Sequence, residues 1–120
     1  MSKAKIVRDN EGKFYGIKWL CPGCTWDDGT PHTRILPVDW TPPGESEQSP
    51  HVAGKPHWGF NGNFDAPTFT PSVLSSYEHG PERTPYVCHS FVTDGRIQFL
   101  GDCTHALANQ TVDLPELEER

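Results

Sequence analysis

The chain has 120 residues, among them 12 prolines and 11 glycines, and a formal net charge of -6 at pH 7. That length suits one domain with a modest core, and the acidic balance argues against a basic face for nucleic acid. No run reaches the ~18 apolar residues of a membrane span, and Met1 to Lys5 lacks the apolar stretch of a secretion signal, so a cytoplasmic protein is expected.

Frequent turn residues between short apolar runs predict a mainly β fold, a small single-domain, zinc-ribbon-like antiparallel sheet with long loops. Residues 5–8 and 14–20 read as strands joined by the polar turn Asp9-Asn10-Glu11-Gly12. The second strand runs into Cys21-Pro22-Gly23-Cys24. In this C-x2-C knuckle the Pro-Gly turn lets both sulfurs face one cation. A redox dithiol or two free thiols are the alternatives, but a redox motif opens a helix in a βαβ unit, and Thr-Trp-Asp-Asp-Gly starts none.

His32 follows Cys24 by eight residues, either as a substitute metal ligand or as a surface histidine. Residues 34–38 read as a strand. Residues 41–57 have no periodicity and predict a flexible loop, with a lid over a neighbouring groove as the other reading. The aromatics of 58–64 are expected in core and turns, because no basic residues are interleaved to hold a phosphate backbone. Prolines 67 and 71 place 65–72 as an extended segment along a sheet edge, and 79–82 as a turn.

Residues 87–105 read as a β-hairpin about Asp94-Gly95, a pair suited to the positive φ angles of a type I′ turn. Thr93 then pairs with Arg96. Strand parity puts Cys88, Ser90 and Val92 on one face with Ile97, Phe99 and Cys103, and His89 and Phe91 on the other with Gln98, Leu100 and Asp102. A short turn at 104–107 carries His105 and ends at Asn109 in the left-handed conformation. Residues 111–114 form a last strand before an acidic tail, 115–120.

Domain 1–114 therefore holds a zinc site made of four from Cys21, Cys24, Cys88, Cys103 and His105. His89 and Asp102 are left on the opposite hairpin face, with Ser90, His105 and His32 as candidate neighbours. A carboxylate orienting a histidine is either an ordinary polar pair or a catalytic one. Two functions remain open: a protein-interaction module stabilised by structural zinc, or a zinc-dependent hydrolase whose open ligand position activates water.

CPGC, WGFNG, APTFTPS and VCHSFVTDGRIQFLGDCTHALANQTVDLP together resemble a family of small phage, prophage and bacterial proteins of unknown function. Members often carry the label ammonia monooxygenase, which does not suit a chain with no membrane span and no histidine-rich copper site. Relatives lie beside bacterial ubiquitin-like conjugation genes. The resemblance thus implies a peptidase acting on ubiquitin-like proteins, zinc at Cys21, Cys24, Cys88 and Cys103 or His105, and an active site at His89, Asp102 and Ser90. The chain departs from the family pattern at Asn109, where glycine is usual, and in its long 41–57 segment.

Overall fold

The computed structural model describes residues 2–25, 29–79 and 81–117, so the expected turn residues Asp27, Asp28 and Gly80 and the tail from Glu118 lie outside the described residues. The described chain is mainly β, as expected, but it forms two antiparallel sheets rather than one. The first has the order β1 (Ala4–Arg8), β2 (Phe14–Thr25), β3 (Pro31–Leu36). The second runs β4 (Gly59–Phe60), β5 (Phe69–His79), β6 (Thr84–Thr93), β7 (Arg96–Phe99), β8 (Thr111–Asp113).

The β1–β2 turn is closed by Asp9, whose Oδ1 accepts the N–H groups of Glu11 and Lys13 at 2.9 Å each. Phe14, Ile17, Trp19 and Cys21 of β2 are buried. Opposite them, Cys21 pairs with His32 and Thr25 with Pro31, so the knuckle residues 22–24 bulge out of the ladder.

The β6–β7 hairpin has the expected register, with Thr93 opposite Arg96 and Ser90 opposite Phe99. Asp94 and Gly95 have φ of 51° and 77°. β7 then ends earlier than strand parity implied. Cys103 N–H donates to Leu100 O at 3.2 Å, closing a turn, and the chain rejoins β6 where Thr104 N–H donates to Val87 O at 3.0 Å. Asn109 takes the left-handed conformation, with φ of 66°.

Residues 65–72 differ from the expected edge segment. Their last four open β5, which lies between β4 and β6. Pro71 is accommodated because the β5–β6 register shifts there: Phe69 pairs with Val92 and Val73 with Ser90, leaving residues 70–72 opposite Phe91 alone. A residue without an N–H fits such a bulge.

One core joins the sheets. Trp19 of β2 stacks on Phe69 of β5 with centroids 5.9 Å apart, and Phe69 stacks on Phe60 at 5.4 Å. Trp40 meets Phe14, Phe60 and Phe64 edge-on. Such pairs contribute about 0.5–1.5 kcal/mol each beyond their burial. The aromatics of 58–64 thus serve the core, as their sequence context implied.

Residues 41–57 make several hydrogen bonds to the rest of the domain. Ser49 N–H donates to Phe14 O at 2.7 Å, Gln48 Nε2 reaches Val38 O and Trp40 O, and Glu45 forms a two-pronged pair with Arg8. Pro50–Val52 makes a 3-10 turn that buries Val52. At the other end, Leu114 and Leu117 are buried and Leu117 N–H donates to Ser2 O, so the part of the expected tail up to Leu117 packs on the domain. No helix among the described residues is long and apolar enough to cross a membrane.

Candidate active site

His89 of β6 lies opposite Leu74 of β5. Ser72 precedes Leu74 by two residues and so shares the His89 face. The two side chains meet: Ser72 Oγ is 2.9 Å from His89 Nε2. On its other side the imidazole Nδ1 is 3.1 Å from Asp102 Oδ2, the contact that hairpin parity suggested.

The direction of these hydrogen bonds follows from the acid. An ionised carboxylate only accepts, so Nδ1–H donates to Asp102, and in the neutral imidazole the Nε2 lone pair then accepts the Ser72 hydroxyl. That is the arrangement in which a serine is activated for acyl transfer by a histidine held in one tautomer. The side chain of His89 is 25% exposed and that of Asp102 56%, so the relay sits at the surface. Trp58 Nε1–H donates to Ser72 O at 3.1 Å and anchors the backbone beneath the hydroxyl.

Ser90 is placed elsewhere. It is 1% exposed and pairs with Val73 and Phe99, its side chain directed to the buried face with Cys88. The family resemblance implied Ser90 in the active site, whereas strand alternation turns it away from its neighbour His89, as hairpin parity also indicated. Ser72 was missed because its position depends on the β5–β6 register.

The buried hairpin face carries Cys88 and Cys103 and meets Cys21 and Cys24 of the β2 knuckle, and all four thiols are unbridged and buried. Cys21 Sγ lies 3.3 Å from Cys24 Sγ and 3.7 Å from Cys88 Sγ. Zinc–sulfur bonds of about 2.3 Å put tetrahedral sulfurs about 3.8 Å apart, so the three thiols can hold one metal ion. Cys88, Cys103 and His105 form a second group, and within each group the ligand atoms lie within 4.8 Å of one another.

The thiols cannot share negative charge equally. Cys24 is driven far down by hydrogen bonds from Cys21 and Cys88, with help from Tyr86 and Arg34. Cys21 is pushed up to about 11, chiefly by its bond to Cys24, and Cys88 rises further beside Cys21 and Cys24. Arg34 donates to Cys24 Sγ at 3.0 Å, and burial of its guanidinium is more than offset by Cys24 together with Cys21 and Cys88. A bound cation would allow all the sulfurs to ionise together.

Cys103 Sγ accepts His89 N–H at 3.2 Å and lies 3.1 Å from His89 O. His105 Nδ1 accepts Leu107 N–H, its ring packs edge-on against Phe99, and Nε2 is buried without a hydrogen-bond partner. Burial lowers its affinity for a proton, against the pull of Cys24. The ring covers Gly23, where a Cβ would come within 2.5 Å of it, which explains a glycine between the knuckle cysteines. His32 stands opposite Cys21 and belongs to neither cysteine group.

A family model described as bacterial ubiquitination-like system serine protease (BubE) matches residues 1–100. The chain belongs to the BubE family. The match includes Ser72 and His89, and ends just before Asp102. Searches of curated proteins and of solved structures each returned no match. The BubE description names a serine protease, and it accords with the serine hydroxyl found on the His89 imidazole.

Proposed function

We propose that this BubE-family chain is a serine peptidase acting on ubiquitin-like proteins, with Ser72 as nucleophile, His89 as general base and Asp102 as the residue that orients His89. The carrying observation is the 2.9 Å contact between Ser72 Oγ and His89 Nε2, backed by Asp102 on Nδ1. His89 takes the Ser72 proton as Oγ attacks the scissile carbonyl, then gives it to the leaving amine, and water repeats the cycle on the acyl-enzyme. This replaces a metal-activated water as the nucleophile.

The cysteine cluster carries zinc in a structural role in this reading. Cys21, Cys24 and Cys88 are three ligands, and the fourth comes from Cys103 or His105. When bound, the ion would neutralise the thiolates and fasten the knuckle to the hairpin. Unbridged thiols suit a reducing cytoplasm, and the partner is the protein substrate.

A fluorophosphonate probe, which phosphonylates activated serines, tests the assignment. The expected result is one labelled site at Ser72, lost in Ser72→Ala and His89→Ala and kept in Ser90→Ala. Labelling that survives Ser72→Ala, or that needs Ser90, would overturn it. Release of a ubiquitin-like protein from a C-terminal fusion, lost in the same variants, tests the substrate.

A further inference from the structure

Two unpaired strand edges face each other beside Ser72. β3 is the outer strand of the first sheet, and its free edge has no strand partner among the described residues. β5 pairs with β4 only at Phe69 and Thr70, so beyond Ser72 its second edge is open as well. Between them lies a cavity of about 430 Å³, walled by Arg34 and Ile35 of β3 and by Val73 and Leu74 of β5, with Trp58 between. Its lining reaches the residues next to Ser72: Val73 follows Ser72 in the chain, and Trp58 bonds Ser72 O.

The side chains presented there are aliphatic. Leu74 is 57% exposed and Ile35 44%, unusual for residues of this size in strands that pack a core on the other face. Leu74 stands directly opposite His89, on the face that carries the Ser72–His89 contact. Open edges offer N–H and C=O groups in register for an added strand, and the side chains beside them select what that strand carries.

Resting on the peptidase reading above, we infer that the groove between β3 and β5 takes the substrate as an extended peptide, an added strand whose aliphatic side chains pack on Ile35 and Leu74 next to the scissile bond. An extended segment can pair its N–H and C=O groups with such edges, which a folded domain surface with its own groups already paired does not offer. Cleavage therefore falls in unfolded segments or tails, close to Leu, Ile or Val.

The test uses the full chain with two probes. A small alkyl fluorophosphonate reports the triad alone, while carboxymethylated casein, an unfolded protein, reports the groove through its rate of cleavage and its cut sites mapped by mass spectrometry. Ile35→Glu and Leu74→Glu should still take up the probe at Ser72, showing a folded chain with its triad assembled, and lower casein cleavage by about 10-fold or more, with loss of the aliphatic preference. Ile35→Val and Leu74→Met should restore both. The groove is overturned if the glutamate variants cut casein at the wild-type rate and sites, or if a wild-type chain that takes up the probe leaves casein intact. Failure of the wild-type chain to label would instead overturn the triad.

Discussion

His89 stands 3.1 Å from Asp102, and each has a cysteine of the buried cluster as its chain neighbour, Cys88 before His89 and Cys103 after Asp102. The two faces of one hairpin thus carry two kinds of chemistry, kept apart by strand alternation. Anything that holds the cysteine face also holds the histidine and the acid in line.

The acid should matter for rate rather than for binding. In Asp102→Asn the imidazole loses the acceptor that fixes its tautomer, and kcat is expected to fall by about 10²–10⁴-fold with KM nearly unchanged. Steady-state kinetics on a cleavable ubiquitin-like fusion checks this.

Metal removal should strike fold and activity together. Purified protein is expected to contain about one equivalent of zinc, and chelation to lower the melting temperature by about 10 °C or more, because an ion held by Cys21, Cys24 and Cys88 would join the knuckle of β2 to the β6–β7 hairpin. Metal analysis with calorimetry reads both. Cys24→Ser should lose the metal, and a comparison of Cys103→Ser with His105→Gln identifies the fourth ligand.

Gly23→Ala places a methyl group against the His105 ring and Phe99 Cε1, 2.8 Å from the latter. Overpacking of this kind costs about 1–3 kcal/mol. Urea denaturation should show a lower midpoint at an unchanged slope.

Acid should destabilise the chain partly through two carboxylates. Asp9 is held below its ordinary range by the Ser49 hydroxyl and then by the Lys13 and Glu11 N–H groups, and Glu45 by its hydrogen bond from Arg8. With folded values lower than unfolded ones, their stabilisation is present above the ordinary carboxylate range and is lost as pH falls through the folded values. Asp9→Asn should therefore be less stable near neutrality and lose less on acidification, as melting curves across pH would show.

Some of this was legible from residue order alone. The Asp94-Gly95 turn dictated the hairpin register, and alternation alone separated Cys88 from His89 and placed Asp102 within reach of His89. The CPGC knuckle announced a thiol pair, because a two-residue spacer brings its own sulfurs together. These relationships are local, within one turn or one hairpin.

The proposed nucleophile was not local. Ser72 reaches His89 across the β5–β6 ladder, and the bulge at residues 70–72 shifts the register by an amount that parity along the chain does not contain. Tertiary structure likewise decided that Cys21 and Cys88 share a cluster and that 41–57 is bonded to Phe14 and Arg8, since partners far apart in sequence are chosen by packing of two sheets on one core. The sequence by itself determined which residues share a hairpin face; only the packing of β5 on β6 decided which serine that face would meet.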